Sequence, residues 1–191
     1  MQYSGCEADN RYLYTNTWLI CSNLENSTMD HAALVKLVRQ VCTEFCAELT
    51  QDEVSKFVRY TRLVTLQPEQ VLAEIGARGE SFFMVIGGSI GLYQITQQSS
   101  LQVGEIGSGG LVGEMSFFDK RPRTLRLAAM QEGAALLEIS RGMYNRIVLD
   151  EPYVSSKLLE FVIRSLDSLV RDLSEKNASL HRQLKEFQPE Q

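Results

Sequence analysis

The residues of this chain best equipped to do chemistry lie within 110–128, where Gly113-Glu114 is followed by Met115 and Ser116 and, nine positions after Glu114, by Arg123-Thr124. Arginine stays charged at every relevant pH and presents a planar fork of donors, so Arg123 is a candidate for holding a small anion. Gly113 lets main chain approach a ligand with no side chain in the way. If residues 115–118 turn helically, the free N–H groups of that first turn supply further donors. Glu114 would repel an anion and can serve only as an acceptor. The same residues admit a plainer reading: Glu114 and Arg123 as a surface pair contributing under about 1 kcal/mol, and the run holding Lys120, Arg121 and Arg126 as a solvated basic loop. Spacing alone leaves both open.

Other chemistries find little support. A metal-dependent barrel enzyme needs a cluster of His and carboxylate ligands inside the barrel. The only histidines are His31 and His181, both on helical patterns outside the β region, and no metal ligands are assigned. No Gly-x-Ser-x-Gly, Cys-His or Walker-type motif is present, and no catalytic residues are assigned. Cys6, Cys21, Cys42 and Cys46 contain no Cys-x-x-Cys. They read as reduced thiols in a cytoplasmic protein, with Cys42 and Cys46 buried on one apolar helix face.

With 19 basic and 24 acidic residues among 191, the net charge of -5 lacks the broad positive field of general nucleic-acid binders. The longest charge-free run, residues 81–104, is Gln, Ser, Thr and Gly in its second half, which hydrocarbon would not accept. No secretory signal is evident at the start.

The elements that must position these residues follow from periodicity. Residues 1–26 show no period and read as an arm in which Tyr12, Tyr14, Trp18 and Leu19 are docking candidates. Ser27-x-x-Asp30 opens a helix on which Leu34, Val38, Val41, Phe45 and Leu49 repeat every three or four positions, and Thr50-x-x-Glu53 is a capping box for a shorter helix through Val54, Phe57 and Val58. From Leu63 the period becomes two: Val71, Ala73 and Ile75 alternate, as do Ile90 and Leu92. Ten of the 13 glycines fall within 76–113. Two further strand runs flank Gly133. Many short antiparallel strands in a jelly-roll-like barrel are expected over 62–150.

After Ser140 comes a short helix, then a last one opened by Pro152. Its heptad places Ile163, Val170, Asn177 and Leu184 at a, and Leu159, Leu166, Leu173, Leu180 and Phe187 at d. β-branched residues at a, Leu at d and one Asn at a are the preferences of a parallel two-stranded coiled coil. Val162 and Leu169 at g add a third stripe, so the front half can pack on its own domain as well. The expected class is α+β: helices over 27–61, an antiparallel β-roll over 62–150, and a C-terminal helix over 151–188 that forms a parallel homodimer.

Taken with the Gly79-Glu-Ser-Phe-Phe-Met-Val-Ile-Gly-Gly88 run and Ile90-Gly-Leu-Tyr93 before it, the Gly113-Glu114 to Pro122-Arg123-Thr124 stretch resembles the phosphate-binding cassette of cyclic-nucleotide-binding domains. Those are the modules of the catabolite activator protein, kinase regulatory subunits and nucleotide-gated channels. The resemblance implies that Gly113, Glu114, Met115, Ser116, Arg123 and Thr124 bind a cyclic nucleotide, cAMP or cGMP, with no further cofactor. Arg123 and main-chain amides would hold the phosphate, Glu114 would accept from the ribose 2'-hydroxyl, and Thr124 would reach a phosphate oxygen or the purine edge. Two departures stand out. Leu125 occupies a place usually held by Ala and would crowd the base, and Arg126 replaces Ser or Thr and would point outward.

The function implied is a non-enzymatic, homodimeric, cytoplasmic cyclic-nucleotide sensor. The alternative is a dimeric scaffold or adaptor whose degenerate β-roll binds no nucleotide. Closure of the last helix over the base is expected from residues 166–172, with Ser168, Arg171 and Asp172 as polar candidates. The chain ends soon after Phe187 where family transcription factors continue into a helix-turn-helix, so output is expected through a protein partner, with neither DNA nor membrane binding.

Overall fold

The computed structural model describes residues 30–96 and 99–186. The arm, Ser27, Cys6, Cys21 and Phe187 lie outside the described residues. Helix α1 (His31–Val41) buries Val35 and Val38, and Asp30 precedes it without a side-chain cap bond. The expected continuous helix breaks at Cys42 (φ −96°, ψ 55°), and a single further turn, α2 (Thr43–Cys46), buries Phe45 and Cys46. At this corner Gly109, with φ +90°, packs so close that a Cβ on it would sit 2.8 Å from the Val41 carbonyl oxygen. Helix α3 (Gln51–Arg59) begins with the capping box read from sequence, Thr50 Oγ1 accepting from the Glu53 N–H and Glu53 accepting from the Thr50 N–H at 2.7 Å.

The strands are β1 (Arg62–Leu66), β2 (Val71–Ala73), β3 (Ser81–Ile95), β4 (Ser100–Gly107), β5 (Leu111–Val112) and β6 (Arg126–Ser140). Every pairing is antiparallel: the order is β1-β6-β3-β4, β2 pairs with β6, and β5 with β3. The expected ladder of short strands is replaced at its centre by two 15-residue strands. Gly133 lies inside β6 and does not divide it. The two strands bend together, with register shifts between Val85 and Gly87 and between Gly88 and Ile90. Gly88 (φ +67°) faces Gly133 so closely that a Cβ would lie 2.1 Å from the Gly133 carbonyl oxygen. Ile75, expected to extend β2, lies outside it and is exposed.

Both faces of the β3–β6 ribbon are buried. Phe82, Met84 and Ile86, with Leu137 and Ile139, point to the helices, whereas Phe83 and Val85, with Leu136, point into the roll. An unbroken apolar run is what such a ribbon requires. Helix α4 (Glu114–Asp119) crosses between β5 and β6. Helix α5 (Arg141–Asp150) starts on Ser140, whose hydroxyl accepts from the Met143 N–H, and α6 (Pro152–Glu186) runs 35 residues.

The first turns of α6 bury Val154, Leu158, Phe161 and Val162 among Phe45, Phe57 and the β3–β6 ribbon. Polar contacts lock the same end. Lys157 pairs with Glu48 and with Glu160, Tyr153 donates to the Glu48 carbonyl at 3.3 Å, and Lys56 pairs with Glu151 at 3.4 Å. Beyond Leu166 the described side chains of the helix are exposed. Among the described residues no helix is long and apolar enough to cross a membrane.

Candidate functional site

Between α4, β4, the β5 strand and the inner face of α6 lies a cavity of about 1000 Å³. Gly113, Glu114, Met115, Ser116, Arg123 and Thr124, the six residues singled out from sequence, all line it. Gly113 adopts a left-handed conformation (φ +86°, ψ 2°) and turns the chain from β5 into α4. A Cβ there would meet Arg123 Nη1 at 2.5 Å, so glycine is needed both for the backbone and for the guanidinium lying over it.

Arg123 is 6% exposed. Its Nη2 donates to the Ser81 carbonyl at 2.7 Å and its Nη1 to the Gly113 carbonyl at 3.4 Å. Its own N–H donates to the Ala77 carbonyl, and its carbonyl accepts from Gly76. Main chain and side chain are thus fixed together, with further guanidinium donors available beyond the two in use. Burial pulls its pKa down, offset in part by Glu114, and the group stays charged.

Glu114 is 7% exposed. Burial raises its pKa, against the lowering effects of its own amide and of Arg123. Among the described residues Arg123 makes no ion pair within 4 Å. The plain reading of a solvated Glu–Arg surface pair therefore fails: both groups are buried and they do not join.

Leu125 does line the cavity, as its bulk implied, without filling it. Arg126 points away and pairs with Glu74 at 2.9 Å, as strand alternation required. Thr124 is exposed at the cavity wall. From α6 the wall takes Phe161, Arg164, Ser165, Ser168, Leu169 and Leu173. Of the polar candidates on this helix Ser168 lines the cavity, whereas Arg171 is absent from the wall and pairs with Asp167 at 2.8 Å on the exposed surface; the side chain of Asp172 lies outside the described residues. Arg164 and Ser165 replace them because the inward face begins one turn earlier.

Sequence reasoning missed the opposite wall, where Val41, Thr43 and Glu44 come from α1 and α2 and Val103 and Glu105 from β4. These sit 60 or more residues, or a sheet edge, away from the cassette, and no local spacing marks them. Cys42 and Cys46 are free and buried. Burial pushes the Cys46 thiol up to about 11 and Cys42 higher still. Among the described residues no group of three or more His, Cys, Asp or Glu is arranged to hold a metal ion.

Residues 63–151 match the family model of the cyclic nucleotide-binding domain. A cyclic nucleotide-binding domain from Methylobacillus flagellatus KT has the same fold, with a TM-score of 0.66 at 18% identity over 82% of this chain and 87% of that one. The N-terminal domain of a transcriptional regulator from Streptomyces coelicolor A3(2) follows at 0.57 and 25% identity, over 70% and 94%. The Thermus thermophilus catabolite activator protein gives 0.59 and 21%, over 70% of this chain and 63% of its own. No curated protein matches the sequence.

Proposed function

Residues 63–151 being a cyclic nucleotide-binding domain, we propose that the chain is a non-enzymatic sensor that captures a 3',5'-cyclic purine nucleotide, cAMP or cGMP, in the cavity between α4 and α6. The observation carrying this reading is Arg123: a guanidinium 6% exposed, facing a cavity, with no carboxylate on it. A buried cation with no carboxylate within ion-pair distance is costly, and an anion of the right size relieves that cost. The cyclic phosphodiester carries one negative charge. Arg123 takes one of its oxygens, and the main-chain amides that follow Gly113 take another. Glu114, beside them, accepts from the ribose 2'-hydroxyl. Thr124 reaches a phosphate oxygen or the purine edge, and the base lies toward α6, against Leu125, Leu169 and the hydroxyls of Ser165 and Ser168.

Occupancy is reported through α6. A base held by residues 161–173 favours the inward position of that helix, by no more than the ligand's differential affinity for the two arrangements, typically about 1–3 kcal/mol. The same helix carries the heptad at which two copies join, and the paired helices present the signal to a protein partner.

Isothermal titration calorimetry of the full chain with cAMP and with cGMP tests this reading. Micromolar binding of one or both is expected. Arg123→Ala should weaken it by about 2–5 kcal/mol, because the phosphate is left buried without its partner. No heat with either nucleotide would leave a dimeric scaffold as the function.

A further inference from the structure

The cradle just described rests on a helix of six residues, α4, too short to hold itself. Its Phe117 N–H reaches the Gly113 carbonyl only at 3.3 Å. What holds it comes from behind, from the first residue of α5. Arg141 Nη2 donates to the Phe117 carbonyl at 3.0 Å and to the Gly79 carbonyl at 2.8 Å. Its guanidinium carbon lies 4.3 Å from the centre of the buried Phe117 ring. Its main-chain N–H donates to the Glu80 carbonyl at 3.0 Å, and its Nε lies 3.5 Å from the Glu80 carboxylate.

Three successive carbonyls, of Gly79, Glu80 and Ser81, are thereby taken by two arginines. Arg141 holds the first two and Arg123 the third. The segment is also pressed onto α4: a Cβ at Gly79 would sit 2.2 Å from the Ser116 carbonyl oxygen and 2.6 Å from the Phe117 nitrogen. Any shift of residues 79–81 therefore moves the anchor of Arg123 and the seat of α4 together. Tyr144, one turn along α5, packs edge-on to Phe117 and Phe118 at 5.6 and 5.5 Å.

We propose that Arg141 is the positioning residue of the cradle. It does not line the cavity. Its guanidinium locks α4 to the 79–81 segment, and through the Ser81 carbonyl it fixes the direction in which Arg123 faces the anion. The assignment rests on the nucleotide reading for its consequence, while the clamp itself is measurable without ligand.

Hydrogen–deuterium exchange of the ligand-free full chain, compared for wild type, Arg141→Met and Arg141→Lys, reads the clamp directly. Arg141→Met should speed exchange across residues 114–119 by about tenfold or more while the amides of β3 and β6 keep their protection. Arg141→Lys should stay close to wild type, since the ammonium still reaches one carbonyl. Calorimetry with the Rp and Sp phosphorothioates of cAMP and cGMP reads the consequence. Arg141→Met should weaken binding by about tenfold and change the Sp-to-Rp affinity ratio, whereas a protein that has merely lost stability weakens both isomers alike. Unchanged exchange over 114–119, acceleration spread evenly over the sheet, or an unchanged isomer ratio would each overturn the proposal. If wild type binds no nucleotide at all, the sensor reading falls, and the exchange result still decides whether Arg141 clamps α4.

Discussion

Glu114 and Arg123 share one cavity wall, are buried to nearly the same degree, and yet form no ion pair. Each is therefore held at some expense to stability, the usual mark of a site arranged for a ligand. Glu114 makes stability depend on pH. Its pKa in the folded protein is raised above the ordinary 4.5 by burial. Between that ordinary value and the raised one, the folded protein keeps a proton the unfolded chain has released. Stability thus falls as pH rises through this window, and the loss persists at neutral pH. Glu114→Gln, which never ionises, is expected to raise the melting temperature at pH 7, by about 2–4 °C for each kcal/mol regained. The gain should vanish below about pH 4.5, where the wild-type carboxyl is protonated in both states. Melts of the two proteins across pH check this. The same substitution should narrow the preference for a cyclic nucleotide over its 2'-deoxy form. Gly113→Ala tests the other half of the wall. The left-handed backbone there costs alanine about 1–2 kcal/mol, and its Cβ, 2.5 Å from Arg123 Nη1, must displace the guanidinium. Urea unfolding should show a loss of at least that size, and calorimetry a loss of affinity approaching that of Arg123→Ala.

Among the elements, α6 links cavity to core, and Phe161 is its pivot. That ring is buried, lies 5.9 Å from Phe45, and also lines the cavity. The helix base is tied to the turn after α2 by Lys157 and Glu48 below Phe161, so in the proposed sensor the ligand would act above it, at Arg164, Ser165 and Ser168. Phe161→Ala should destabilise the fold by about 3–5 kcal/mol. Phe161→Leu, which keeps most of the volume, should cost less yet still loosen nucleotide binding, as paired chemical denaturation and calorimetry would show. How far such elements are legible in a sequence depends on whether their causes are local. The Thr50–Glu53 box closes through two hydrogen bonds three residues apart, and Ser140 and Pro152 act within one turn, so these helix starts could be read. The cassette was legible for the same reason: Gly113, Glu114 and Arg123 lie within a dozen positions. The break at Cys42 lies against Gly109, far along the chain in the turn between β4 and β5, and the apolar period from Leu34 to Leu49 runs straight through it. Gly133, inside the unbroken β6, lies against Gly88, 45 residues away. Thr43 and Glu44 reach the cavity by the same kind of long-range placement, and nothing around them in sequence announces it.

At the scale of the whole molecule, the exposed apolar stripe of α6 is what a single chain leaves unexplained. Leu158, Phe161 and Val162 satisfy the core, yet Ile163, Val170, Leu173 and Leu180 remain 57–59% exposed, and they are a and d positions of one continuous heptad. Past Leu173 no described residue of the helix lines the cavity or joins the core, and an isolated helix of that length is marginal in water. In the parallel pair proposed above, a second copy of the same stripe would cover these residues, and Asn177 would sit opposite its counterpart and fix the register at some cost in stability. Light scattering coupled to gel filtration should accordingly give twice the 21.6 kDa chain mass. Val170→Asp with Leu173→Asp should give the single-chain mass with the β-roll's thermal transition retained, because neither residue contributes to the domain core. Asn177→Leu should raise stability and admit larger assemblies. A wild-type chain that elutes and scatters as a monomer at all concentrations would remove the dimer from this account. Nucleotide capture at Arg123 would then have to act through the position of α6 alone.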